Sequence, residues 1–196
     1  MNKLVLLTII NLIFFNMNFV KLESLLGKDI SIAEMKIGLE FEENIFDIKN
    51  NQIKNYSTKL NLKNKSQVIN EFYGIPYKFV FIQTDRNNSI QSINIKFNSI
   101  IDFNFYEAFN EVYGVPNNIL VIEKRNILSE ENIKDETYGF NQFLRKSELD
   151  LREGSFEEKP LYILWKKENY QIKALLRHKQ GVSEIIFTKL NSQNTN

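Results

Sequence analysis

The chain has 196 residues, of which 43% are hydrophobic and 25% charged, with 16 Phe and 8 Tyr; this is enough apolar material for one buried core and argues against wholesale disorder. Its 25 Lys and Arg nearly cancel its 24 Asp and Glu, and the formal charge of +1 lacks the basic excess of a protein whose main partner is nucleic acid. With no cysteine, the chain has no disulfide, thiolate metal site, cysteine nucleophile or lipid-modified cysteine.

The N-terminus reads as a targeting segment. Met1-Asn2-Lys3 is a short basic tip, and an apolar run from Leu4 to Phe15 follows, interrupted only by Thr8 and Asn11. A basic tip ahead of roughly 7–15 apolar residues is the pattern of a secretory signal, and it is shorter than the ~20 residues of a comfortable membrane span. Residues 1–20 are therefore expected to be a signal peptide. Because no small-residue cleavage pattern stands near residues 16–24, an uncleaved N-terminal anchor is the alternative. The expected location is periplasmic or secreted, with membrane attachment only through this segment. Residues 21–190 read as a single α+β domain and residues 191–196 as a polar, disordered tail.

Along the domain, residues 35–62 predict one or two strands, from the alternation of Leu39 with Phe41 and of Leu60 with Leu62. Beyond them the chain repeats itself. Residues 70–76 are Asn-Glu-Phe-Tyr-Gly-Ile-Pro and residues 110–116 are Asn-Glu-Val-Tyr-Gly-Val-Pro, at an offset of 113 − 73 = 40. Each heptapeptide closes a helical pattern. In the second copy Asp102 is an N-cap and Ile101, Phe105, Ala108, Phe109 and Val112 make the apolar stripe; in the first, Asn64 caps and Val68, Ile69 and Phe72 make it. Gly74 and Gly114 suit the left-handed residue that ends a helix, Pro76 and Pro116 prevent its resumption, and Tyr73 and Tyr113 pack over the helix end. The repeat therefore predicts a helix-turn-strand unit used twice, over 60–98 and 100–126.

The order Ser66-Gln67-Val68, then Gly74-Ile75-Pro76 before a strand, resembles a module of small exported bacterial α+β proteins. Among these are the outer-membrane assembly lipoprotein SmpA/OmlA family and the tandem-module β-lactamase inhibitor proteins. The resemblance covers Leu60–Pro76 and implies a fold that commonly binds other proteins; it transfers no functional residue. This chain departs from the pattern in having Lys63-Asn64-Lys65 where a Gly usually precedes the helix, and in lacking the lipoprotein cysteine.

After the first copy, Tyr77–Ile82 reads as a buried strand, Asp85–Ser89 as a turn, and Ile93, Ile95 and Phe97 as the inner face of a half-exposed strand. Residues 127–160 form a long insertion, a mobile loop or a working surface, with a helix expected around Phe140 to Leu149. Leu161–Trp165, Tyr170–Arg177 and Val182–Leu190 then form a C-terminal meander. The expected fold is an antiparallel sheet with two repeat-related helices on one face.

Few residues point to chemistry. His178 is the only histidine and reads as a solvated turn residue between Arg177 and Lys179. No nucleophile elbow, zincin or phosphate-loop motif is present, and the acidic stretch at 130–136 lacks the spacing of a calcium loop. No catalytic, cofactor or metal residue is assigned. The leading expectation is a non-enzymatic exported protein that binds another envelope or secreted protein, or supports the envelope. Its candidate surface is Tyr162, Trp165 and Tyr170. The alternative is a small-molecule or lipid carrier with an apolar pocket between sheet and helices lined by Phe79, Phe81, Phe97, Phe105 and Phe109. A hydrolase using acidic residues of the 127–160 segment is the third reading.

Overall fold

The computed structural model describes residues 21–43, 53–58, 71–135 and 140–190. The expected leader, the tail, the Leu60/Leu62 strand and most of the first repeat helix lie outside the described residues.

The fold is α+β and rich in strands: among the described residues there are two α-helices and a ten-stranded antiparallel sheet. From the N-terminus, a short 3₁₀ turn leads into helix α1 (Ile30–Ile37), strand β1 (Phe41–Glu43) and strand β2 (Ile53–Thr58). A hairpin of β3 (Glu71–Phe72) and β4 (Ile75–Asp85) precedes β5 (Ile90–Phe97) and helix α2 (Phe103–Tyr113). A long hairpin, β6 (Asn118–Asp135) and β7 (Phe140–Glu153), is followed by the meander β8 (Tyr162–Lys166), β9 (Tyr170–Arg177) and β10 (Val182–Lys189). In space the order is β1-β2-β4-β5-β10-β9-β8-β6-β7, with β3 paired to β4.

Helix α2 forms where the capping pattern places it. The Asp102 side chain accepts from the Phe105 N–H at 2.8 Å, and Gly114, with φ of 76°, ends the helix. Its buried residues, Phe105, Phe109 and Tyr113, recur every four positions, and Ile101 extends the stripe. Val112, expected on that stripe, is exposed, because the stripe continues to Tyr113 instead. The chain leaves β5 in the middle of the sheet and re-enters it at β6, so α2 crosses over β10, β9 and β8. That crossing sets its Phe109 ring 5.0 Å from Trp165 and 6.5 Å from Phe187, beneath it on β8 and β10. Burying one such ring stabilises the fold by roughly 1.5–3 kcal/mol.

Helix α1 was not expected. Its signals are local: Asp29 accepts from the Ser31 N–H at 2.9 Å, and Gly38 caps the other end with φ of 74°. Ala33 is its buried residue and joins Leu22 and Leu25 in the same core as α2.

The first heptapeptide corrects the repeat. Glu71-Phe72 is strand, paired with Ile75-Pro76 across a two-residue turn, and not the end of a helix. Tyr73 and Gly74 both have positive φ, 51° and 77°, as a type I′ hairpin turn requires. The left-handed glycine that closes a helix also closes such a turn, so Tyr-Gly alone does not choose between them. Gly74 and Gly114 therefore do different work, and of the two α-helices among the described residues only α2 is one that the repeat predicts.

The long insertion is also corrected. Residues 140–153 are the strand β7, not a helix. Phe140, Phe143 and Leu144 fit a single helical turn, but Phe143, Arg145, Ser147, Leu149 and Leu151 alternate down one face. Beyond Leu120, the last residue of β6 that pairs with β8, the hairpin extends as a two-stranded ribbon.

Candidate binding surface

Period-two alternation gives the sheet two unlike sides. On the side facing α1 and α2 lie Val80, Ile82, Ile93, Ile95, Phe97, Ile163, Trp165, Ile172, Ile185 and Phe187, all buried. The strand register assigns the residues of the opposite side. One row runs Phe81–Asn94–Ile186–Lys173–Leu164–Asn118, and the next runs Phe79–Lys96–Glu184–Leu175–Tyr162–Leu120. Among the described residues no helix covers these rows, and all their apolar members are half-exposed.

The open side is apolar with a polar centre. Phe79 and Phe81 lie 5.9 Å apart at one end, and Leu164, Leu175 and Tyr162 occupy the other. Between them Glu184 is 8% exposed, accepts from Asn94 Nδ2 at 3.0 Å and faces the Arg177 guanidinium at 3.6 Å. A buried carboxylate needs such partners to offset its lost hydration. The Lys173 ammonium stands 4.2 Å from the Tyr162 ring centroid, a cation–π distance.

The ribbon continues this side. Register pairs Ile122 with Leu151, Arg125 with Leu149 and Ile127 with Ser147, on the same face as Leu120. Six of the eleven exposed large hydrophobic side chains among the described residues fall on the hairpin: Ile122, Ile127, Leu128, Phe143, Leu144 and Leu151. Exposed apolar clusters of this kind mark contact surfaces more often than scattered single residues do.

Of the three residues expected to form one surface, only Tyr162 lies on the open side. Trp165 is 1% exposed beneath α2, and its indole N–H is shared between Asn110 Oδ1 at 3.1 Å and the Gly114 carbonyl at 3.0 Å. Tyr170 is half-buried and packs against the helix-side core. The reason is parity: Tyr162 and Trp165 are three residues apart on one strand, which puts them on opposite faces. Pro76 is exposed at the β3–β4 hairpin, and Pro116 lies between α2 and β6. The five phenylalanines expected to line one pocket are divided in the same way. Phe97, Phe105 and Phe109 pack ring to ring in the core, whereas Phe79 and Phe81 lie on the open side.

Where the ribbon meets the sheet, a strap of residues 154–161 connects β7 to β8. It is tied down at four points. Gly154 N–H donates to the Ile119 carbonyl at 2.9 Å, Leu161 N–H to Leu120 at 2.8 Å, and Leu176 N–H to Leu161 at 2.9 Å; His178 Nε2 meets the Pro160 carbonyl at 2.9 Å. His178 is thus half-buried and engaged, not a free turn residue. Gly154 is required for close approach, since a Cβ there would stand 2.9 Å from Val121 Cγ1. Arg152 pairs with Glu158, which also accepts from the Ser155 N–H, and this pairing holds the Glu158 carboxyl below its usual range.

Two adjoining clefts open beside the strap, about 520 and 460 Å3 in volume, and share Lys159, Leu176 and His178. Among the described residues no group of three or more His, Cys, Asp or Glu is placed to hold a metal ion, and no helix is long and apolar enough to cross a membrane.

These features define an α+β protein with one helix-covered sheet side and one that no helix among the described residues covers. Comparison with protein-family models, curated proteins and solved structures returns no match.

Proposed function

We propose that this is a non-enzymatic exported protein that binds another envelope or secreted protein through the open side of its sheet. The observation that carries the reading is the set of half-exposed apolar side chains on the open side. Phe79 and Phe81 stand at one end; beyond the polar Asn94 and Lys96 of β5, Ile186, Leu164 and Tyr162 lead onto the face of the β6–β7 ribbon that bears Ile122 and Leu151. A flat, mostly apolar surface with a few fixed polar groups suits a protein partner, because Asn94, Lys96 and Lys173 can orient what the apolar rows attract. Export rests on the basic tip and apolar run of residues 1–15.

Photo-crosslinking tests this reading. A photoreactive side chain at Phe81, Ile186 or Leu164 should capture the same discrete partner from cells producing the full chain. One at Glu107, on the exposed surface of α2, should not. Equal capture from both sides, or none from the open side, would refute it.

A further inference from the structure

The smaller cleft beside the strap has an unusual lining. Its cationic or potentially cationic side chains are Arg125, Lys159, Arg177, His178 and Lys179, and no Asp or Glu lines it. Its floor and walls are apolar, from Leu149, Leu161, Tyr162 and Leu175. In a chain of formal charge +1, this is a strong local segregation of positive charge over an apolar bed.

The cations are largely uncommitted. Among the described residues, Arg125, Lys159 and Lys179 join no ion pair, while Arg177 faces Glu184 at 3.6 Å. In the adjoining cleft the one carboxylate, Glu157, is held below its usual pKa range by a hydrogen bond from Ser155. Lys159, which lines both clefts, has φ of 56°, and it precedes Pro160. A non-glycine residue in the left-handed region before proline costs on the order of 1 kcal/mol, and such strain persists where the surroundings impose it. The hydrogen bonds that pin the strap supply that constraint.

We infer that this groove binds a single-chain anionic amphiphile, an alkyl chain bearing a carboxylate or phosphate head. The chain would lie on Leu149, Leu161 and Leu175, and the head would sit among Arg125, Lys159 and Lys179. The two clefts together fall within the ~300–1,000 Å3 that small-molecule sites occupy. The groove shares Tyr162, Leu175 and Leu149 with the open side, whereas Phe81 and Ile186 lie outside it, so crosslinking there and titration here read the two sites separately.

Isothermal titration of the full chain with dodecanoate below its micelle-forming concentration tests it. The expected result is one saturable site, at least tenfold weaker for uncharged dodecyl maltoside, with no saturable binding of inorganic phosphate alone. Arg125→Ala combined with Lys179→Ala, both exposed, should weaken dodecanoate at least tenfold without shifting the thermal midpoint. Lys36→Ala combined with Lys166→Ala, both exposed and outside the groove, should leave it unchanged. Absence of saturable binding, equal affinity for the neutral detergent, equal affinity for bare phosphate, or full binding by the Arg125/Lys179 variant would each overturn the inference. A dodecyl phosphate arm separates the two head groups: tighter binding than dodecanoate assigns phosphate, weaker binding assigns carboxylate.

Discussion

The rings of Tyr73 and Tyr113, the equivalent residues of two near-identical heptapeptides, both pack on Phe109, at 5.3 and 4.4 Å between centroids. They converge there although one stands in a hairpin turn and the other ends a helix. The Tyr113 hydroxyl donates to Glu23 Oε2 at 2.9 Å, and the Tyr73 ring also lies 5.5 Å from Phe105. These contacts join the 3₁₀ turn, the β3–β4 hairpin and the end of α2.

Removing the Tyr113 hydroxyl should therefore loosen the 3₁₀ turn from the end of α2. Tyr113→Phe is expected to cost about 1–2 kcal/mol in urea unfolding, the usual cost of stranding buried polar partners. Tyr73→Phe should cost less, and the double variant less than the sum of the two. Strict additivity would show that the two residues are not coupled.

Alkaline pH should act on the same region. Burial pushes Tyr73 and Tyr77 up to about 12, and Tyr113 is raised by burial and by the charge of Glu23. In the unfolded chain these phenols ionise near 10, so above that pH the unfolded state loses protons that the native state keeps. The contribution is complete below pH 10 and declines as pH rises from 10 towards 12. The urea midpoint should fall across that window, less steeply in Tyr77→Phe. A midpoint constant up to pH 11.5 would contradict this.

Trp165 anchors α2 to β8 by packing and by its shared N–H. Trp165→Phe should cost about 1–3 kcal/mol, through lost volume and through Asn110 and Gly114 acceptors left without their donor. Thermal unfolding monitored by circular dichroism measures it, and a change below about 0.5 kcal/mol would show that the indole N–H contributes nothing.

The β6–β7 ribbon should be the least protected strand pair. A two-stranded ribbon without a packed face is marginal in water. Backbone amides at 124–132 and 143–150 should exchange with deuterium far faster than those of β5, β9 and β10 at the centre of the sheet. Equal protection would mean that something covers the ribbon.

Much of the fold was legible because its signals are local. The meander β8–β10 follows from alternation and short polar turns, and α2 from Asp102, Gly114 and a four-residue apolar period. Tyr73-Gly74 was ambiguous for a physical reason, since a left-handed pair serves a helix end and a hairpin turn equally well. β7 was obscured because Phe140, Phe143 and Leu144 fit a helical period over one turn, while the alternation that decides the matter runs on to Leu151. The aromatic surface failed on parity, which places Tyr162 and Trp165 on opposite faces. The groove cations come from β6, the strap and the β9–β10 turn, and only tertiary structure brings them together.

Hydroxyl-radical footprinting of the full-length protein tests the two-sidedness of the sheet most directly. Phe79, Phe81, Leu164 and Ile186 should be oxidised readily, while Phe105, Phe109 and Trp165 stay protected. Protection of Leu164 and Ile186 to the level of Trp165 would show that the open side is covered and contradict the account.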